Sequence, residues 1–284
     1  MPVVVVTDSS ARLPADDTES WGIRVAPLHV LVDGLDLLDG VDEVPADLYT
    51  LGSVTTAGAT PAELVAVYRQ ALADSAGDGV VAVHISGRLS STFAAAEQAA
   101  RELGDMVRVI DSNSTAMGTG FVALTAARAA RAGKDLNGVV AEAESTLPAI
   151  HAYVVVHRLD NLRRSGRIGT AASWLGTALA VKPVLEIDEV GRLVLAQRVR
   201  TASRAVATMV EQVLEVVGER RAWLAVHHID NPAGADDVAA TLAAALPGCG
   251  PAMITDLGPV LGVHVGTGAL AVVVQVRDNT PDQR

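Results

Sequence analysis

Three short aliphatic runs in this chain each end on a cluster of hydroxyls. "PVVVV" (2–6) gives way to Thr7-Asp8-Ser9-Ser10, and "VVAVH" (80–84) to a stretch holding Ser86, Ser90, Ser91 and Thr92. "VRVI" (107–110) gives way to "DSNST" (111–115). The first is a continuous apolar, β-branched run, which suits a strand buried on both faces, the condition of a parallel sheet. Helical patterns fall between them. "TPAE" (60–63) offers Thr60 as N-cap, Pro61 at the first helical position and Glu63 to close a capping box, with a helix expected to about Ala73. Residues 91–103 are alanine-rich, and a further helix opens near "DSNSTAMGTG". Strands alternating with helices at this spacing form βαβ units, so the first half should be a parallel-sheet α/β layer.

The second half changes character. A strand at 152–156 is followed by "KPVLEIDEVGRLVLAQRVR" (182–200), which reads as two strands about a turn at Gly191, an antiparallel hairpin. A helix at 202–217, a strand at 222–228, a helix at 234–246 and the runs "AMIT" and "ALAVVVQV" follow. The expected organisation is an N-terminal α/β domain over 1–155 and a C-terminal α+β domain over 156–284 with a largely antiparallel sheet.

Composition narrows the function classes. Only eight of 284 residues are Phe, Trp or Tyr, so the core must be aliphatic and few stacking platforms exist for single-stranded nucleic acid. A net charge of −11 likewise argues against a phosphate backbone as partner. Cys249 stands alone, which rules out an intrachain disulfide and a cysteine metal cluster. The start "MPVVVVTDSS" has no basic n-region, and no run approaches the ~18 apolar residues of a spanning helix. A soluble cytoplasmic protein is expected. Against the acidic whole, residues 158–204 hold nine basic side chains and four acidic ones, a local excess suited to phosphate or an acidic partner.

Ligands of open parallel sheets bind beyond the carboxyl ends of the strands, where helix N-termini add unpaired N–H groups. Capping alone would explain one hydroxyl cluster there. Three clusters at the end of one sheet point to a binding site. A nucleophilic serine finds little support, because no G-x-S-x-G elbow or Ser-x-x-Lys surrounds Ser86 and Ser90. The P-loop, dinucleotide and zinc-protease motifs are absent too. "GPVLGVHVGTGALAV" (258–272) sets His264 among four glycines, which let a backbone approach a ligand closely.

Taken in order, these stretches resemble the DegV family. The resemblance rests on "VVVVTDSSARLP", "TTAGATPAEL", "HISGRLSSTFAAA", "VRVIDSNSTAMGTG", "LDNLRRSGRIG", "ALAVKPVLEIDEVGRL", "RVRTASRAV" and "GPVLGVHVGTGAL", which span nearly the whole chain. It implies a two-domain protein that binds one long-chain fatty acid between its domains and needs no cofactor or metal. It further implies a non-catalytic lipid-carrying subunit. A separate fatty acid kinase subunit phosphorylates the bound carboxyl group, the acyl phosphate enters phospholipid synthesis, and transient membrane contact is admitted.

By the same resemblance Thr56 and Ser90 are carboxylate ligands, His264 lies close to the head group, and Arg167 belongs to the phosphate and kinase side. Four positions depart from the family pattern: Ala57 for serine, Ser91 for glycine, Ser165 for glycine and Thr267 for proline. They bear on the hydrogen-bond set more than on the ligand class. At about 0.8 kcal/mol per buried methylene, a chain of ~14 methylenes offers roughly 11 kcal/mol before binding costs. The head-group residues then set orientation. Two other readings stand beside the carrier: a serine-dependent acyl hydrolase using Ser90 or Ser86 with His84 or His264, and a lipid-responsive sensor.

Overall fold

The first aliphatic run forms strand β1 (Val4–Asp8) at the interior of a parallel sheet. The computed structural model describes residues 3–51, 53–168 and 181–277; Gly169 and the first three residues of the 178–193 motif lie outside them. The chain forms two units that interleave along the sequence. The first takes residues up to Pro148 with Glu189–Arg192 and Gly258–Val263; the second takes Ala149–Asp188, Leu193–Leu257 and the chain from His264 onward.

In the first unit β1 is followed by α1 (Ala15–Trp21), β2 (Arg24–Ala26), β3 (His29–Val32), β4 (Leu35–Leu38) and β5 (Thr55–Ala57). Then come α2 (Pro61–Asp74), β6 (Val80–His84), α3 (Thr92–Leu103), β7 (Val107–Asp111), α4 (Met117–Arg131) and α5 (Leu136–Ser145). The main sheet has the order β2-β1-β6-β7, and every pairing in it is parallel. Val80, Val81, Ala82 and Val83 are all fully buried, as an unbroken apolar run demands when helices cover both faces. Helix α4 is buried along nearly its whole length, which its glycines and alanines permit, and it packs on β1 and β6. Thr60 and Glu63 form the expected capping box at the start of α2. A separate antiparallel sheet, β4-β3-β5, carries Thr56 on its three-residue edge strand.

The second unit contains β8 (Ile150–Val155), α6 (Asp160–Arg164), β9 (Lys182–Ile187), β10 (Leu193–Val199), α7 (Ala202–Val217), β11 (Arg221–His228) and α8 (Pro232–Ala245). It continues with β12 (Met253–Asp256), the end of α9 (Gly258–Val265) and β13 (Leu270–Arg277). Its six-stranded sheet runs β10-β9-β8-β13-β11-β12, antiparallel except between β11 and β12. Ala205, Met209, Val213 and Val217 recur every fourth residue on α7 and meet Leu224 and Val226 of β11 and Val272 and Val274 of β13 in one core. The helical stripe and the period-2 strand pattern thus bury the same apolar surface. The fold is therefore a parallel α/β unit joined to an α+β unit with a largely antiparallel sheet.

Candidate functional site

The carboxyl ends of β1 and β6 are fastened by a buried chain of polar groups. Asp8, His84 and Tyr68 are fully buried. Asp8 Oδ1 accepts the Ser10 N–H at 3.1 Å and the Ser10 hydroxyl at 2.5 Å. Its Oδ2 accepts the Ile85 N–H at 2.9 Å and lies 2.9 Å from His84 Nδ1. His84 Nε2 lies 2.7 Å from the Tyr68 hydroxyl, on α2. Burial, and then the charge of Asp8, pushes the Tyr68 phenol well above its ordinary value of 10. Tyr68 therefore keeps its proton and donates it to Nε2, which places the ring hydrogen on Nδ1, facing Asp8. Both ring nitrogens are spent. His84 has none left to activate Ser86 or Ser90.

Nor are most of the strand-end hydroxyls open to a ligand. The Ser86 hydroxyl donates to the Gly191 carbonyl at 2.9 Å and accepts the Arg88 N–H at 3.1 Å. Ser9 Oγ accepts the Leu28 N–H at 3.1 Å. At the end of β7, Asp111 accepts N–H groups from Gly87 and Asn113 at 3.1 and 2.9 Å, and Ser112 just after it pairs with Thr119 at 2.8 Å. Several hydroxyls of the first and third clusters thus fasten the loops to one another, while Thr7 Oγ1, Ser114 Oγ and Thr115 Oγ1 are buried without a hydrogen-bond partner.

Ser90 differs. It is half-buried at the start of α3, where its Oγ lies 2.9 Å from Thr92 Oγ1 and accepts the Thr92 N–H at 3.2 Å. The hydroxyl group thereby meets one orphan N–H of the helix, and where Thr92 Oγ1 is the donor of the hydroxyl pair both Ser90 lone pairs are taken and its own O–H is left to donate to a ligand. Gly58, two residues beyond Thr56, packs directly on this spot. A Cβ there would fall 2.5 Å from Thr92 Oγ1 and 3.3 Å from Ser90 Oγ. A side chain at 58 would strike the α3 start, so glycine is what lets the two segments approach this closely. Thr56, half-buried on β5, is held in register opposite Val30.

In the second unit the structure brings Arg167 and His264 together. Arg167 follows α6, with its N–H on the Leu162 carbonyl at 3.1 Å and its guanidinium on the Ser165 carbonyl at 2.6 Å. His264 sits in the last turn of α9, ahead of Gly266 and Gly268, whose φ of 79° and 78° favours glycine. Burial, and then the positive field of Arg167, lowers His264 to about 4. The imidazole is therefore neutral at physiological pH and can hydrogen-bond an anion without forming an ion pair. A ring-proton titration is expected to place His264 near 4, and Arg167→Ala to raise it while burial keeps it below the ordinary 6.5. A native state that resists this proton loses stability as pH falls from about 6.5 toward 4, because the unfolded chain binds it first. An unmoved His264 in the variant would show that the arginine's field does not reach the ring.

Among the described residues no three His, Cys, Asp or Glu side chains are grouped to hold a metal ion. No helix among them is long and apolar enough to cross a membrane. Thr56 and Ser90 belong to the first unit, Arg167 and His264 to the second. The residues that sequence reasoning missed are Tyr68 and Gly58.

Comparison with known proteins supplies the family. Residues 2–277 match the family model described as "Uncharacterised protein, DegV family". The chain belongs to the DegV family. A DegV domain-containing protein of Mycobacterium tuberculosis is 62% identical over 281 residues, covering 99% of this chain and 100% of that one. Two solved structures align over 98% of this chain and 100% of theirs. One is a DegV family protein from Thermus thermophilus described by its fatty acid binding, with a TM-score of 0.88 at 31% identity. The other is DegV of Bacillus subtilis, described as a fatty acid binding protein, with a TM-score of 0.87 at 29% identity.

Proposed function

We propose that this DegV family chain binds one long-chain fatty acid, with its carboxylate taken by the Thr56 and Ser90 hydroxyls, and that His264 is a head-group residue as the family resemblance implies. The observation that carries the reading is the seating of Gly58 on Ser90 and Thr92, which gathers the two hydroxyl-bearing segments at one helix start. Family members of the same fold bind fatty acids, which gives the ligand its class. A carboxylate removed from water costs several kcal/mol unless hydrogen-bonded. Hydroxyls and a helix-start N–H can meet that need without a tight salt bridge, and a neutral imidazole can add to it.

On this reading the protein is a carrier that works in the cytoplasm. A separate kinase subunit transfers a phosphoryl group to the bound carboxylate, and the acyl phosphate passes to phospholipid synthesis at the membrane. Arg167 serves the phosphate and kinase side, supported by the basic excess of the segment around it. The hydrolase reading loses its nearest base, since both nitrogens of His84 are engaged by Asp8 and Tyr68.

The test is direct. Recombinant protein, delipidated by denaturation and extraction, is expected to release close to one long-chain fatty acid per chain by mass spectrometry. Extraction of none, together with no uptake of added oleate or palmitate, would sink the proposal.

A further inference from the structure

His29 lies at the start of β3, almost wholly buried, and each of its ring nitrogens faces a carboxylate. Nδ1 is 2.7 Å from Asp36 Oδ1 on β4, and Nε2 is 3.2 Å from Glu63 Oε2 in the first turn of α2. The same Glu63 oxygen accepts the N–H and the hydroxyl of Thr60, both at 2.7 Å. A carboxylate oxygen only accepts, so both contacts require hydrogen on both ring nitrogens. That species is the imidazolium. With one proton removed, a ring lone pair would face a carboxylate oxygen and one of the two contacts would turn repulsive.

The backbone connects this ring to Thr56. Strand β5 is three residues long and has β3 as its neighbour in the sheet. His29 stands opposite Ala57, and Val30 opposite Thr56. Whatever fixes β3 against α2 therefore fixes the strand that carries Thr56. Four residues past Thr56 the chain reaches Thr60, held by the very oxygen that His29 contacts.

We propose that His29 is a positioning residue for Thr56: its imidazolium clamps β3 between Asp36 and the start of α2, and loss of the proton loosens the Thr56 strand. This rests on the fatty acid reading only for its effect on ligand; the clamp itself stands on the geometry of the first unit. Burial alone would lower the His29 pKa, but the hydrogen bonds to Asp36 and Glu63 and the attraction of both carboxylates outweigh it, so it lies above 6.5. Glu63 is correspondingly held below its ordinary range: burial would raise it, and the bonds from Thr60 and His29 prevail. The sign follows. A raised histidine contributes stability in full below 6.5 and loses it as pH rises through the folded value.

The experiment has a ligand-free arm and a ligand arm. In the delipidated wild type, NMR titration is expected to place His29 above 6.5, and Asp36→Asn to lower it. Amide exchange at Thr56, corrected for intrinsic pH dependence, should accelerate through the His29 titration in the wild type. In His29→Gln, which keeps the ring's size class without its charge, it should be fast and pH-independent. Titration at or below 6.5, or Thr56 protection that ignores the His29 titration, overturns the clamp. In the ligand arm, oleate affinity should fall with rising pH by about three-fold more in the wild type than in His29→Gln, the scale of an ion pair whose carboxylate partners stay half exposed. Parallel profiles overturn the positioning role. Absence of oleate binding in both proteins refutes the fatty acid reading, and the exchange arm still decides the clamp.

Discussion

His84→Ala is expected to destabilise the protein by about 3–5 kcal/mol. The substitution opens a cavity and removes two hydrogen bonds from groups with no route to water. The Tyr68 hydroxyl loses its acceptor, and Asp8 Oδ2 keeps only the Ile85 N–H. A buried carboxylate stripped of a donor is the costlier of these losses. Tyr68→Phe isolates the far link. It removes the hydroxyl without a cavity and leaves Nε2 as an unpaired acceptor, for an expected cost of about 1–2 kcal/mol. The two substitutions should be strongly non-additive, since with the imidazole gone the phenol has nothing to donate to. Urea denaturation of the two single mutants and the double mutant measures the cycle. Additive effects, or a His84→Ala cost near zero, would show that the three groups do not act as one network.

That network also shows what a sequence can and cannot disclose. The strand at 80–85 and the helices at 61–73 and 202–217 could be placed within a residue or two, because a buried run and a capped, striped helix each leave a local signature. The hairpin about Gly191 was legible for the same reason. Elements with little surface to bury left no such trace. Helix α1 contains no buried residue, and β4 and β5 are three or four residues long with polar members. Helix α9 was hidden by its own glycines, which lower helix propensity and invite a loop reading. Among the polar residues the obstacle was distance along the chain. Asp8 and His84 are 76 residues apart, and nothing near either names the other as partner. His84 could therefore enter the alternative hydrolase reading as a base, whereas β1 and β6 pair in parallel and bring Asp8 to it. The clusters at 7–10 and 111–115 are hard to read from sequence for a related reason, since loop-to-loop fastening and ligand binding use the same hydroxyls. Gly58 gave no motif of its own, and its meaning appears only where a Cβ would strike Thr92.

Ser90→Ala is expected to lower fatty acid affinity about 5- to 150-fold, the equivalent of ~1–3 kcal/mol for a buried acceptor left short of a donor. The acyl chain's larger contribution should keep binding measurable. Thr56→Ala should act in the same direction, and the double mutant should lose less than the two effects combined, since both hydroxyls would serve one carboxylate. Ser90 has a second duty that must be separated from this one. Its Oγ accepts the Thr92 N–H at the start of α3, so its loss also costs helix stability, at about 1 kcal/mol for a lost cap. Ser90→Asn keeps a side-chain oxygen for that N–H but offers the ligand a bulkier amide. A capping role alone would make Ser90→Asn bind like the wild type and Ser90→Ala bind normally once folded. A carboxylate ligand would leave both variants folded and weak. A nucleophile would differ again, sparing ground-state affinity in Ser90→Ala while abolishing labelling by a fluorophosphonate probe. Affinity, melting and probe labelling across the two variants therefore assign Ser90 to one role, and wild-type affinity in folded Ser90→Ala would remove it from the carboxylate site.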